Sequence, residues 1–154
     1  MELLLWRHAE AEDGTADLER RLSARGEKQA RRVAAWLNDR LPGTARILTS
    51  PAVRTQQTAA ALMALADRKL KVVPQLAPGA DPEDFLRAVD WPNARSTVVA
   101  VGHQPTLGLV ASTLLAGSAQ YWSIKKGALW WLSSRAEDGE GTAALLAMIH
   151  PGLL

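Results

Sequence analysis

The chain contains no cysteine, which excludes disulfide staples, thiolate nucleophiles and every zinc site built on sulfur. It also lacks a strong charge of either sign: 18 Lys plus Arg against 16 Asp plus Glu leave a formal charge of +2, too small to argue for nucleic acid. The local concentration of Arg20, Arg21, Arg25, Lys28, Arg31 and Arg32 has Glu19 and Glu27 mixed in and no aromatic ladder, and reads as a solvated helix face. No stretch reaches the roughly 18 to 20 apolar residues of a membrane span. The apolar opening, Met1 to Trp6, is too short and too closely bracketed by Glu2 and Arg7 to be a secretory signal. HExxH, clustered carboxylates, a Walker-type loop and GxGxxG are missing as well, so neither a metal nor a bound nucleotide is implied. The expectation is a cytoplasmic protein without a cofactor, bound to neither membrane nor nucleic acid.

What is present is the balance of one ordinary globular domain over residues 1–154, with 47% hydrophobic and 22% charged residues. Leu3 to Trp6 is a continuous apolar run that ends abruptly at Arg7 and His8, as a strand buried on both faces would. Ser23 to Arg40 places Ala30, Val33, Ala34 and Leu37 at helical spacing before the stop signal Pro42-Gly43. Ala45 to Thr49 reads as a second strand, and Ser50-Pro51 as the N-cap and first turn of a helix carrying Ala59, Leu62 and Met63. Leu70 to Val73 predicts a third strand, and Asp81-Pro82 opens a helix with Phe85, Leu86 and Val89 inward. Thr97 to Val101 is the clearest buried strand. Pro105-Thr106 then opens a helix with Leu107, Val110, Ala111 and Leu114 on one face. Ala128 to Ser134 and Ala143 to Ile149 predict two strands joined by a polar turn across Glu137 to Gly141.

This alternation predicts an α/β fold: a three-layer α/β/α sandwich whose mostly parallel central sheet ends in an antiparallel hairpin. Sites in such sheets lie outside the carboxyl ends of the strands, where strand order reverses. Arg7-His8, Ser50 to Arg54 and Gly102-His103 all follow predicted strands, so three polar groups are expected at one edge.

Those residue types suit phosphoryl transfer, which needs a nucleophile and fixed positive charge around the phosphate oxygens. Imidazole can attack; the planar fork of arginine pairs with a dianion and keeps its charge. Nearby cations should depress the pKa of His8 and keep it neutral and nucleophilic, with His103 as a donor to the phosphate. The first turn of a helix also presents N–H groups and a positive dipole end to an anion, which favours Arg54 as a ligand.

The successive motifs Leu5-Trp6-Arg7-His8-Ala9-Glu10, Leu22-Ser23-Ala24-Arg25-Gly26, Ser50-Pro51-Ala52-Val53-Arg54-Thr55-Gln56-Gln57-Thr58 and Val101-Gly102-His103-Gln104-Pro105 resemble those of the histidine phosphatase superfamily. The short length and the Arg20 to Gly26 segment make the likeness closest to its SixA-type phosphohistidine phosphatase branch, of phosphoglycerate mutase-like fold. The resemblance implies that His8 becomes phosphorylated, that Arg7, Arg54 and His103 bind the phosphoryl group, and that Arg20 also faces the site. It implies a phosphohistidine-containing protein as substrate.

One family feature is missing. Relatives acting on phosphate esters usually carry a glutamate general acid after the third strand, where this chain reads Leu76-Ala77-Pro78-Gly79-Ala80, with Asp81, Glu83 and Asp84 somewhat later. An alkoxide leaves poorly without an acid, whose help is worth about 10² to 10⁴. Imidazole, with a conjugate-acid pKa of about 6.5, leaves far more readily. The rival readings are a small-metabolite phosphomonoesterase using Asp81 or Glu83, and a non-catalytic phosphoprotein-binding module. Ser50, Thr55, Gln57, Gln104 and Thr106 can line the pocket or serve as caps and turn residues, with Ser50 and Gln104 the favoured phosphate contacts. His150, without a motif, is read as structural or exposed, and the tryptophans as packing residues, with Trp130 and Trp131 on opposite sides of their strand.

Overall fold

Leu3, Leu4, Leu5 and Trp6 have no exposed surface, because β1 (Glu2–Arg7) lies near the middle of a sheet covered on both sides. The computed structural model describes residues 1–134 and 143–154. After β1 come α1 (Ala24–Asn38), β2 (Arg46–Thr49), α2 (Val53–Met63), β3 (Lys69–Val72), α3 (Pro82–Ala88), β4 (Val98–Gly102), α4 (Thr106–Ala116), β5 (Leu129–Ser134) and β6 (Ala143–Ile149), with short 3-10 turns at Asp17–Glu19, Pro74–Leu76 and Pro151–Leu153. The sheet order is β3-β2-β4-β1-β5-β6. Strands β3, β2, β4 and β1 run parallel, while β5 and β6 add the antiparallel edge.

Strand alternation divides the core in two. Leu3, Leu5, Leu48, Val98 and Ala100 face Phe85 and Val89 from the α3 region and Leu107, Val110 and Ala111 from α4. Leu4, Trp6, Ile47, Val99 and Val101 face Val33, Ala34 and Leu37 from α1 and Ala59 and Leu62 from α2. This is the three-layer sandwich expected from the alternating pattern. Cutting a fully buried leucine such as Leu62 to alanine removes contacts worth roughly 2–5 kcal/mol. Among the described residues, no helix is long and apolar enough to cross a membrane.

Helix α1 begins where Ser23 caps it, its hydroxyl accepting from Gly26 N at 3.0 Å. Gly26 has a second duty: a Cβ there would collide with the carbonyl of Glu10, so the first turn of α1 lies directly on the chain that follows His8.

Three expectations need correction. Ser50-Pro51 does not cap α2, which starts at Val53 with Ala52 as an extended N-cap that lacks a side-chain bond. Ser50 instead accepts from Ala52 N at 3.1 Å, one turn before the helix. Leu86, expected inward, packs against the core but stays only half-buried. Strand β3 is one residue earlier than expected and exposed throughout, at the edge of the sheet. Trp130 and Trp131 do take opposite faces, one packed on each core. The turn expected across Glu137 to Gly141 lies outside the described residues.

Candidate active site

The register of the parallel strands builds the site. Arg7 stands opposite Gly102, so His8 and His103 leave the sheet side by side. His8 N donates to Gly102 O at 3.1 Å, and the imidazole centroids are 5.2 Å apart with the rings tilted by 53°. On the other flank of β4, Thr49 stands opposite Val101. Ser50 therefore enters beside His103, with its hydroxyl 2.8 Å from His103 Nε2. From the adjacent β1 and β4 the chain runs outward to β2 and β3 on one side and to β5 and β6 on the other. The histidines thus occupy the point where strand order reverses.

The hydrogen bonds assign each ring a tautomer. His8 Nδ1 lies 2.8 Å from Ala9 O, and a carbonyl only accepts, so Nδ1 carries the proton and Nε2 the lone pair. His103 is reversed. Its Nδ1 faces Arg54 Nη2 at 3.4 Å, a group that only donates, leaving the Nε2 proton for Ser50 Oγ. Burial, followed by the charges of Arg54, Arg7 and Lys126, lowers the His8 pKa to about 4 despite the opposing Ala9 hydrogen bond. Burial, then His8 and Arg54, lowers His103 to about 3, with Asp17 pulling the other way. Both rings are neutral at pH 7.

Arg54, the second residue of α2, is 4% exposed. Its Nη1 donates to Asp17 O at 2.7 Å, and its Nη2 lies 3.2 Å from Asp17 Oδ2. Arg7 Nη1 donates to Ile124 O at 2.8 Å, and burial pulls its pKa down from the usual guanidinium range. The Nε groups of both arginines are buried without a partner among the described residues. Two guanidinium groups with donors to spare and an imidazole nitrogen without a partner are the kinds of group a tetrahedral anion requires.

Arg20 reaches this group through Asp17: its Nη1 is 3.2 Å from Asp17 Oδ1, and its Nε donates to Glu12 O at 2.8 Å. Partial burial acts to raise the Asp17 pKa, but hydrogen bonds from Arg54 and Arg20 outweigh it and hold the carboxylate low. Asp17 is the residue that sequence reasoning missed; its one signal was an acid three positions before Arg20. Thr58 was also missed. Its hydroxyl accepts from Ala9 N at 3.1 Å and donates to Arg54 O at 2.8 Å, joining the two halves of the site.

Several candidates are engaged elsewhere. Gln104 donates to Trp122 O at 2.7 Å and accepts from Gly108 N at 2.7 Å, tying the start of α4 to the loop beyond it. Thr55 bonds Ser50 O and Ala52 O, Gln57 accepts from Leu22 N, and Thr106 donates to Ala80 O. Asp81 caps α3 by accepting from Glu83 N and Asp84 N, while Glu83 and Asp84 pair with Arg87. His150 is exposed and accepts from Gly152 N at 3.0 Å. Among the described residues, no group of three or more His, Asp or Glu is arranged to hold a metal ion.

Comparison with known proteins places the chain. Residues 3–77 match the family model of the histidine phosphatase superfamily (branch 1). An uncharacterised protein of Picosynechococcus sp. is 34% identical over 148 residues, covering 88% of this chain and 87% of that protein. The structure of a candidate phosphohistidine phosphatase SixA from Nakamurella multipartitia superposes with a TM-score of 0.77 at 30% identity, over 97% of this chain and 95% of that one. A protein histidine phosphatase SixA complexed with tungstate shares the fold, with a TM-score of 0.81 at 22% identity over 99% of each chain.

Proposed function

We propose that this chain, which belongs to the histidine phosphatase superfamily and within it to the SixA-type branch, removes the phosphoryl group from phosphohistidine on another protein by way of a phosphorylated His8. The observation that carries the reading is the asymmetry of the histidine pair: His8 keeps its Nε2 lone pair unengaged, 5.2 Å in ring separation from a His103 whose nitrogens are both engaged. The same reading takes residues 1–154 as one catalytic domain.

In the first step His8 Nε2 attacks phosphorus in line. The substrate's P–N bond breaks, and its electron pair stays with an imidazole whose remote nitrogen is already protonated, so a neutral imidazole departs. His8, which holds its proton on Nδ1, becomes the matching phosphoimidazolium. The exchange is nearly symmetric and needs little driving force. Water then adds to phosphorus, the P–N pair returns to His8, and the water's proton goes to the phosphate. Arg7 and Arg54 supply fixed donors to the equatorial oxygens, and His103 adds a further one when the arriving dianion draws a proton to it. Ser50 orients His103, and Arg20 contributes through Asp17.

The disposition of the acids favours phosphohistidine over an ester. Asp81 is committed to a helix cap and Glu83 to Arg87, so neither stands ready to protonate an alkoxide. Turnover of a phosphohistidine peptide and of simple phosphate esters, compared across a pH series, tests the point. Efficient ester hydrolysis with an acidic limb abolished by Asp81→Asn or Glu83→Gln would defeat the phosphohistidine reading. Acid-labile labelling of His8 tests the covalent step, and binding with neither label nor phosphate release would mark a binding module instead.

A further inference from the structure

Arg25, Lys28 and Arg32 stand at i, i+3 and i+7 on α1, which brings them out along one face of the helix, and all three are exposed. Like charges at this spacing weaken a helix. Among the described residues the one carboxylate paired with the three is Glu10, 3.8 Å from Arg25. The neighbouring face of α1 differs, since Glu27 and Arg31 there mix their signs beside an apolar groove.

The three cations line one wall of a cleft of about 250 Å³, and His150, Pro151 and Gly152 line the other. His150 Nδ1 accepts from Gly152 N, so in the neutral ring the proton sits on Nε2 as a further donor. The cleft is lined by three cations and that ring, with no acid among its lining residues. It also adjoins the active site. Gln29, in its floor, accepts from Glu10 N at 3.0 Å, two residues after His8. Gln29 also lies against Gly127, whose N–H donates to His8 O at 3.0 Å. Lys125 and Lys126, just before Gly127, are exposed, and the charge of Lys126 acts on His8.

We infer that this cleft docks an acidic segment of the phosphoprotein whose phosphohistidine meets His8, an inference that rests on the proposed function. The partner's chemistry follows from the wall: carboxylates in an extended run, paired with Arg25, Lys28 and Arg32 beside the reacting group. Arg25 to Arg32 spans about 10 Å of helix, the length of about three extended residues. The segment therefore needs only a short cluster of Asp and Glu close to its histidine.

The experiment uses two labelled peptides with a central histidine, one flanked by glutamates and one by serines and glycines. Fluorescence anisotropy measures their binding, unphosphorylated, to the wild-type chain and to Lys28→Glu/Arg32→Glu. The acidic peptide should bind the wild type about tenfold tighter than the neutral one at low ionic strength, and the gap should close as salt rises toward ~0.5 M. In the double variant the preference should vanish or invert, while turnover of the phosphorylated neutral peptide stays within about twofold of wild type, which shows an intact fold. Equal binding of both peptides to the wild type, or a preference unmoved by charge reversal, would overturn the docking site. A preference that follows the charges while phosphorylated peptides bind without hydrolysis would uphold the docking site and sink the catalytic reading.

Discussion

His8 and His103 leave adjacent strands at the same level of the sheet, and both are lowered well below the ordinary imidazole pKa, yet their surroundings give them different freedoms. His8 is held at one nitrogen by the carbonyl of its own neighbour, Ala9, so the ring is oriented and its other nitrogen remains open. His103 is held at both, by Ser50 from the end of β2 and by Arg54 from the start of α2. Proximity to cations does not by itself decide which histidine keeps a free nitrogen. The difference lies in which lone pair the fold leaves uncommitted.

Substitution of each ring breaks the comparison most sharply. His8→Ala should lower phosphohistidine turnover at least ~10⁴-fold, as expected when a nucleophile is removed. Tungstate or phosphate affinity, read by calorimetry, should stay within a few-fold because Arg7 and Arg54 remain. Equal loss of binding and turnover would contradict the division of roles. His103→Ala should lower kcat/KM by a smaller factor, about 10² to 10³, and should weaken anion binding as well, since this ring acts as a ligand.

A third test treats both rings alike. Each has a folded pKa below the unfolded value of about 6.5, so below that pH the unfolded chain binds more protons than the folded one. The contribution to stability is therefore complete above about pH 6.5 and lost as the pH falls toward 4 for His8 and 3 for His103. The slope should be about 1.4 kcal/mol per pH unit for each ring. Urea unfolding followed from pH 7 to 4.5 should show the decline, with about half the slope in His8→Gln. A flat profile would mean that the rings are not held neutral.

The smallest effect is expected at Asp17. Asp17→Asn keeps the backbone carbonyl that accepts from Arg54 Nη1 but removes the charge between Arg54 and Arg20. Turnover should fall only a few-fold, about the worth of one partly exposed ion pair. Inhibition by inorganic phosphate should strengthen, because an internal anion no longer competes for the arginine. Weaker inhibition would show that Asp17 serves only to hold its loop.

The parts of this arrangement visible in the sequence are those that elementary patterns can carry. Strands β1, β2 and β4 could be read because apolar runs buried on both faces stop at a polar residue, and those stops are where His8, Ser50 and His103 leave the sheet. Asp17 could not be read, because its 3-10 turn has no periodic pattern and its carboxylate reaches Arg54 only through tertiary packing across 37 residues. Ser50 could be read as a pocket residue, but its bond to His103 was hidden for a related reason. A Ser-Pro pair before a helix suggests a cap, but Ala52 stays extended at ψ 141° and the helix starts later, which leaves the hydroxyl beside His103. Gln104 shows a role its position did not suggest: its place after the histidine pointed to a phosphate contact, and its amide also ties two backbone segments together.

Where the first turn of α1 touches the carbonyl of Glu10, the segment after His8 is braced by bare backbone. A single added methyl at Gly26 would wedge helix and segment apart and move Ala9, whose carbonyl aims the imidazole of His8. The alignment of the His8 imidazole thus depends on an atom that is missing nearly twenty positions away, on a helix at the rim of the sheet.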